Sequence, residues 1–321
     1  MNRVVLGTAS VALAAALFGT LGYVTRNAAE HGMEALPFIT WRGIVGTAAL
    51  LLAAAVFGSV VSRRHRPSAT VAALPFTRRR ALVIAALLGA ILNIAMFEAF
   101  NRTPIAVVLI SFYTFPALVA IAAVPLYGER IDRIRAAALV LSAAGLALVV
   151  LAPILSGGAV TLDPIGIGLA IMAAFCQASF VLIAGRGFAP LPTVQVSAFV
   201  LFVAGAVAFV LALITADFAG LLVPFNNPDS WLWILAGGLT GAAIPTTAFI
   251  AGIGMIGPSR AAILMTIEPL VGVLLAGLFL GERPSPIQLA GGAAVLVAAA
   301  VLQVAPRHAP IPAEPDFGPI V

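Results

Sequence analysis

The feature that most constrains this chain is a series of ten apolar stretches, each close to 20 residues long. A helix of about 20 residues spans the roughly 30 Å hydrocarbon core of a bilayer. The series therefore predicts an all-α integral membrane protein with ten transmembrane helices. The predicted spans are 4–25, 36–61, 81–101, 104–126, 133–152, 165–185, 194–215, 230–251, 259–280 and 286–304.

Composition agrees with a chain that lies in the membrane. Of its 321 residues, 62% are apolar and 9% are charged, whereas a soluble domain has about 45–50% apolar and about 25% charged residues. The first stretch follows Arg3 and is similar to a secretory signal, but its length and the nine stretches after it favour a retained helix. The single cysteine, Cys176, lies within a predicted span, so the sequence contains no disulfide framework.

The distribution of arginine predicts the orientation of the chain. All 17 basic residues are Arg; with a cytoplasmic N-terminus, 13 of them fall on the cytoplasmic side and four, Arg26, Arg42, Arg102 and Arg283, on the other. We therefore predict a multi-pass protein of the cell (inner) membrane with both termini cytoplasmic. Residues 305–321, which contain five prolines, are predicted to form a disordered cytoplasmic tail. Because the arginines lie mostly between apolar spans, topology explains the net charge of +5 better than nucleic-acid binding does.

One phrase occurs twice in the chain. FYTFPALVAIAAVPLYGER at 112–130 is matched by MTIEPLVGVLLAGLFLGER at 265–283, with Pro116 and Pro269 separated by 153 positions. The phrases lie five crossings apart, and an odd number of crossings reverses the direction of the chain. They therefore predict two inverted five-helix repeats, 1–152 and 153–304, an arrangement typical of secondary transporters.

Each copy of the phrase has features of a broken helix followed by a hairpin. The proline lies twelve residues before Gly-Glu-Arg, about 18 Å away along a helix and so near the membrane middle. There it is expected to leave the carbonyl of Phe112 or Met265 without a helical partner. Gly128 and Gly281 are expected to end each helix, and Asp132 and Ser285 to cap the next. Gly-Glu-Arg is then a hairpin device; a direct role in substrate binding is the alternative.

These features resemble the EamA-type transporters of the drug/metabolite transporter superfamily. The resemblance covers about residues 4–304 and rests on the two five-helix halves, the paired phrases in the fourth span of each half, and the small-residue-rich QLAGGAAVLVAAA at 288–300. It also includes an arginine early in the second span, Arg42. It implies ten helices around a central cavity and secondary transport without a tightly bound cofactor. Substrates would be amino acids, metabolites, nucleotide sugars or toxic compounds.

Ionisable side chains inside the predicted spans are the strongest chemical signal, because each costs several kcal/mol in lipid unless it is paired or hydrated. Glu268 lies about ten residues into its span, directly before Pro269, and so about 15 Å deep. We interpret it as the binding group for a proton or for a cationic part of the substrate. The alternative is a protonated, hydrogen-bonded carboxyl with a structural role.

Four further residues are candidates for a substrate or gating site. Arg42 and Glu98 lie in the outer half of the membrane on neighbouring spans, where they either pair, as a gate, or snorkel separately to the interface. Tyr113 stands one turn before Pro116, and the amide of Gln177 is unfavourable facing lipid. Weaker polar candidates, whose types more often bond within or between helices, are Tyr23, Asn93, Ser111, Thr114, Thr246 and Thr247.

Two other classes of protein fit the sequence less well. An intramembrane enzyme would need catalytic groups at membrane depth, but the sequence has no HExxH motif, no Gly-x-Ser with a membrane-embedded His, and no intramembrane aspartate pair. A receptor or assembly subunit would not need duplicated, inverted halves. The sequence also lacks a Walker A motif, which argues against ATP drive within this chain.

We therefore expect a non-enzymatic secondary transporter that exports a small metabolite, amino acid or drug-like compound by alternating access. Its partners would be that substrate and the lipid bilayer, with protons as a candidate coupling ion and no nucleic acid. All three histidines lie in loops or the tail, so neither a metal site nor a cofactor is expected. Gly237 and Gly241 favour close helix packing, with dimerisation as the lesser alternative, so we expect a monomer or a weak homodimer.

The orientation can be tested at the longest predicted loop, residues 62–80, which carries six arginines. We predict that a cysteine introduced by Ser68→Cys is labelled by a membrane-impermeant thiol reagent only from the cytoplasmic side, because the positive-inside bias places this loop there. The measurement compares right-side-out with inside-out vesicles. Labelling from the outside alone would show that the predicted orientation is inverted.

Overall fold

The computed structural model describes residues 2–61, 71, 74–103, 105–129, 132–155, 163–188, 191–279 and 285–304, and the regular structure in these ranges is helical. A π-helical segment, Leu239–Ala243, and a 3₁₀ turn, Met265–Ile267, each join two α-helices. The α-helices are α1 (Arg3–Gly19), α2 (Leu21–Glu30), α3 (Ala35–Val61), α4 (Phe76–Arg102), α5 (Ile105–Phe112), α6 (Phe115–Tyr127), α7 (Arg133–Leu155), α8 (Pro164–Gly185), α9 (Thr193–Ile214), α10 (Phe218–Asn226), α11 (Ser230–Gly238), α12 (Ile244–Ile256), α13 (Pro258–Leu264), α14 (Glu268–Phe279) and α15 (Pro286–Val304).

The helices follow the predicted spans closely. Among the described residues, nine helical stretches are long and apolar enough to cross a membrane, and a further apolar helix, Pro286–Val301, is shorter. Several stretches combine two helices: α1 with α2, α5 with α6, α11 with α12, and α13 with α14. An all-helical membrane protein is thus confirmed, while the total of ten crossings stays a prediction. The short helix α10 lies between two spans and was not predicted.

The most extensive packing joins the two halves of the chain. α3 lies along α9, α7 along α15, α4 along α8, and α1 along α12. Each of these pairs takes one helix from α1–α7 and the other from α8–α15. The core therefore forms mainly between the halves.

Glycines allow the closest of these helix crossings. A Cβ atom added to Gly43 in α3 would lie 2.8 Å from the Cα atom of Gly205 in α9. One added to Gly145 in α7 would lie 2.7 Å from the carbonyl oxygen of Gly291 in α15. Membrane helices use such small residues because close van der Waals packing replaces the hydrophobic driving force that lipid removes.

Gly237 and Gly241 also pack within the chain. A Cβ atom on Gly237 would lie 2.6 Å from Cζ of Phe38, and one on Gly241 would lie 2.7 Å from Cδ1 of Leu21. Their close contacts are thus with α3 and α2. The expected role in close helix packing is confirmed, and these contacts explain the spacing of the two glycines without a second copy of the chain.

Both predicted helix breaks occur directly before the paired prolines. Pro116 is the second residue of α6 and Pro269 the second of α14, where the missing N–H and fixed φ of proline are tolerated. The breaks are at 113–114 and 265–267. One detail of the prediction was wrong. The Met265 carbonyl keeps a backbone partner, because the Glu268 N–H donates to it within the 3₁₀ turn.

The predicted hairpin signals are confirmed where they are described. Gly128 ends α6 in the left-handed region with φ 63°, and its N–H donates to the Val124 carbonyl at 3.0 Å. Asp132 caps α7 by accepting from the Arg135 N–H at 2.7 Å. Ser285 caps α15 in the same way. Gly281 and the rest of the second Gly-Glu-Arg, 281–283, lie outside the described residues, as does the tail 305–321.

All three tryptophans lie at one end of the helix bundle. The rings of Trp41 and Trp231 meet at 5.5 Å between centroids, and Trp233 follows Trp231 in the first turn of α11. Nε1 of Trp41 donates to the Leu221 carbonyl at 3.0 Å, which holds α10 across this end. Tryptophan concentrates at membrane interfaces. We call this the tryptophan end and the opposite end, where α1 begins, the Arg3 end.

The glycine crossing of α3 and α9 can be tested by adding one methyl group. We predict that Gly43→Ala lowers the melting temperature of the purified protein in detergent, because the new Cβ meets backbone at 2.8 Å. Relieving an overpacked contact of this kind costs about 1–3 kcal/mol. Gly168→Ala is the matched control, since a Cβ there meets no atom within 4 Å. Equal melting temperatures for both variants would contradict the close backbone contact.

Candidate functional site

Arg42 is a buried cation on α3, one residue from the close crossing at Gly43. Its side chain is 6% exposed, and its guanidinium carbon lies 6.0 Å from the centre of the Phe38 ring. Nη2 donates to Oδ1 of Asn93 on α4. Nη1 is buried without a hydrogen-bond partner among the described residues. A buried charged donor without a partner is costly, and an anionic or carbonyl group would satisfy it.

Asn93 holds the Arg42 side chain in place. Its Nδ2 donates to the Gly89 carbonyl one turn earlier at 2.7 Å, and this fixes Oδ1 as the acceptor for Arg42. Sequence reasoning ranked Asn93 among the weaker polar candidates. The sequence signal that could have identified Asn93 as the partner of Arg42 was its depth. Asn93 lies nine residues before the end of α4, at a depth close to that of Arg42.

Arg42 and Glu98, for which an ion pair was one of two alternatives, have different partners in this structure. Glu98 instead binds Arg102 on its own helix, with 2.6 Å between Oε1 and Nε. Arg102 also approaches Asp163 at 3.9 Å. The Arg102 and Glu98 side chains are 40% and 43% exposed, so they satisfy each other near the surface. The physical reason is proximity: an i,i+4 partner on the same helix requires no reach across the bundle.

Glu268 and Tyr113 meet where the two broken helices come together. Tyr113 occupies the break between α5 and α6, is 5% exposed, and has Glu268 as its acidic neighbour. The two side chains interact electrostatically, although the hydroxyl makes no well-aligned hydrogen bond within the described residues. α1 packs closely against the backbone of Glu268, since a Cβ atom on Gly19 would lie 2.7 Å from the Glu268 carbonyl oxygen. The pair places a proton donor near an acceptor at the two helix breaks.

Gln177 lies in the middle of the buried face of α8. Residues three, four or seven positions away on that face, Ala170, Ala173, Ala174 and Val181, are 0% exposed, whereas Gln177 is only half-buried. Side chains at these spacings share one helix face. Gln177 therefore lies on the face of α8 that packs against the rest of the bundle.

The structure thus brings the candidate residues together in two pairs, Arg42 with Asn93 and Tyr113 with Glu268. A cavity of about 220 Å³ opens instead near the Arg3 end, between α1, α8, α9 and α12; Arg3 and Thr193 are its polar lining, with Ile250 among the apolar residues. None of the predicted site residues lines it. Within the described ranges, no group of three or more His, Cys, Asp or Glu side chains is placed to hold a metal ion.

Comparison with known proteins decides the family. The model of the EamA-like transporter family matches residues 5–151 and 164–304. The chain belongs to the EamA-like transporter family. A protein from Archaeoglobus fulgidus described as an uncharacterized transporter is 38% identical over 72 residues, which are 22% of this chain and 27% of that protein. The match therefore spans about a quarter of that relative's length.

The same fold occurs among solved structures. One, described only as the crystal structure of a protein, has a TM-score of 0.74 and 21% identity to this EamA-like chain. The likeness covers 94% of this chain and 96% of the other. At this identity the similarity shows a shared fold, and the helix arrangement described above is the fold that is shared.

The partner of Arg42 can be tested through stability. We predict that Asn93→Leu lowers the free energy of unfolding by about 1–3 kcal/mol, because it leaves a buried guanidinium with no side-chain acceptor. Glu98→Gln is the comparison, since an exposed i,i+4 pair contributes about 0.3–0.5 kcal/mol. Both are measured by denaturation in the same detergent. A smaller loss for Asn93→Leu than for Glu98→Gln would contradict the assigned partners.

Proposed function

We propose that this protein is a secondary transporter that moves a small organic solute across the cell's inner membrane by alternating access. The observation that carries the proposal is a polar set at membrane depth in a chain of the EamA-like transporter family, in which Arg42 and Tyr113 are buried and Asn93 and Glu268 are half-buried. Charged groups persist at membrane depth chiefly where they serve a pathway or a bound ligand. With the orientation given by the arginines, the Arg3 end is cytoplasmic.

The packing pattern supports two inverted five-helix repeats, 1–152 and 153–304, in ten crossings. If the two halves are exchanged, the pair α1 and α12 becomes the pair α8 and α4. In the pairs α3 with α9 and α7 with α15, each helix takes the place of its partner, so the exchange leaves both pairs unchanged. Halves related in this way can exchange conformations, which gives outward-open and inward-open states of similar energy.

The substrate proposed for the site carries an anionic and a cationic or donor group, as an amino acid or a related metabolite does. Arg42 is seven residues inside α3 from the tryptophan end, about 10 Å deep, and Glu268 is ten residues inside its span from the opposite end, about 15 Å deep. In a core of roughly 30 Å, these depths differ by about 5 Å. Nη1 of Arg42 would take the carboxylate, while Glu268 and Tyr113 would take the amino group.

The broken helices supply the proposed hinges. The α-helices are interrupted at 113–114 and at 265–267; Tyr113 lies in the first interruption, and Glu268 directly follows the second. Closure around a substrate would therefore move the binding groups together with the helix halves that open and close the pathway. Export is the proposed direction, in line with the resemblance noted above, and Glu268 is the proposed group for proton coupling.

Glu268 is the residue that tests this function most directly. We predict that Glu268→Gln lowers transport at least about tenfold in reconstituted vesicles screened with amino acids and related solutes, because loss of a charged partner costs roughly 1.5–3 kcal/mol. We also predict that any dependence of the transport rate on pH disappears, because the amide cannot exchange a proton. Glu30→Gln is the control, since Glu30 pairs with Arg26 on the exposed surface.

Two outcomes of this experiment would overturn parts of the proposal. Unchanged rate and pH dependence in a Glu268→Gln variant that inserts and melts normally would reduce Glu268 to a structural carboxyl. Absence of transport by the wild-type protein, for every solute tested and with or without a pH gradient, would contradict the transport function itself.

A further inference from the structure

A second charged cluster lies far from the proposed substrate site, where α6 ends and α7 begins. Oε2 of Glu129, in the first Gly-Glu-Arg, lies 3.4 Å from Nη1 of Arg135, and the side chains are 16% and 10% exposed. Asp132 lies 4.0 Å from the same guanidinium and caps α7. This ion pair is largely shielded from water, so solvent screens it far less than it screens a surface pair.

The cluster also contacts the start of the other broken helix. A Cβ atom on Gly257, the residue before α13, would lie 3.4 Å from Oε1 of Glu129. Ser259 and Arg260 in the first turn of α13 are 5% and 8% exposed. They line, with Glu129 and Arg135, a cavity of only about 10 Å³, about the space of one water molecule. The seam between α6, α7 and α13 is therefore closed.

The seam lies at the Arg3 end of the bundle. Nη2 of Arg3 donates to the Gly254 carbonyl at 3.5 Å, and Gly254 is three residues before Gly257. By the arginine distribution this is the cytoplasmic end. A solute that leaves the proposed site toward this end must pass beside α13, which begins in the seam.

The second half of the chain uses the corresponding position differently. Gln288 stands 153 residues after Arg135, just as Ser285 stands 153 after Asp132. Oε1 of Gln288 accepts from the Ser285 N–H at 2.8 Å, while the Ser285 hydroxyl accepts from the Gln288 N–H at 3.2 Å. This reciprocal capping box satisfies the start of α15 without any charge.

In the first half, the same helical position carries a cation that reaches Glu129 instead. Capping of α7 does not require that charge, because Asp132 already accepts from the Arg135 N–H. The start of α13 shows the same difference, since Val107 stands 153 residues before Arg260. The charged seam is thus a feature of one half, although the hairpin phrase is present in both.

We propose that Glu129 and Arg135 form an ionic latch that holds the seam between α6, α7 and α13 closed and makes the Arg3 end harder to open at this seam than the tryptophan end. The inference rests on the proposed function, because a latch has a role only in a protein with alternating access. Opening the Arg3 end moves α13 away from α6 and α7 and exposes the pair to water. Gln288, at the corresponding position of the second half, is uncharged and cannot form this ion pair, so the latch favours states open toward the tryptophan end.

The latch is tested by Arg135→Gln, which gives the first half the residue that the second half has. A reporter cysteine is introduced by Ala120→Cys, because Ala120 lines the small cavity and is 6% exposed, in a background with Cys176→Ala. We predict that Arg135→Gln raises the rate of labelling by an impermeant thiol reagent about tenfold, the effect expected for losing one charged hydrogen bond. The reagent is added from the side that labels Ser68→Cys.

Three further variants make the result specific. Glu129→Gln removes the other half of the pair and should raise labelling to a similar extent. Arg135→Lys keeps the charge and should stay within about twofold of the parent. Glu30→Gln removes an exposed ion pair in α2, near the tryptophan end of the bundle, and should leave labelling unchanged.

Wild-type labelling rates in both Arg135→Gln and Glu129→Gln, with normal melting, would overturn the latch. A tenfold increase in Arg135→Lys as well would also overturn it, because the charge would then be irrelevant. The same vesicles are assayed for transport. Failure of transport in the parent, with a charge-dependent change in labelling, would contradict the proposed function while the gate at this end stands.

Discussion

The whole structure depends on one constraint: backbone N–H and C=O groups inside hydrocarbon must find partners within the protein. Helices satisfy this requirement locally, which is why the described chain is helical throughout. The breaks before Pro116 and Pro269 are tolerated because side chains and tight turns supply partners there. Thr114 donates to the Ser111 carbonyl, and Thr266 donates to the Ile263 carbonyl, each at 2.7 Å. At these two breaks, irregular backbone at membrane depth thereby keeps hydrogen-bond partners within the protein.

The polar side chains of the candidate site form two pairs within this helical framework. Arg42 is held by Asn93, and Tyr113 approaches Glu268 at the meeting point of the two breaks. Glycine at the crossing of α3 and α9 brings the helix that carries Arg42 close to its neighbour. The site therefore combines close packing around Arg42 with an interrupted helix directly before Glu268.

The two halves share a framework but differ in charge. At the third residue of the helix that follows each phrase, one half has Gln288, which closes a capping box, and the other has Arg135, which binds Glu129. Glu268 has Phe115 as its counterpart 153 residues earlier. If the two halves exchange conformations as proposed, these side-chain differences give the two resulting states unequal energy.

The sequence by itself determined the helical spans, the breaks before Pro116 and Pro269, the turn at Gly128 and the cap at Asp132. Each depends on a local property: a run of apolar residues, a missing N–H, or a side chain within one turn. Tertiary structure decided the rest. Arg42 binds Asn93 and not Glu98, and Glu129 contacts the start of α13. Contacts between residues on different helices depend on helix rotation and crossing. Those are set by packing across the bundle, which no local stretch of sequence encodes.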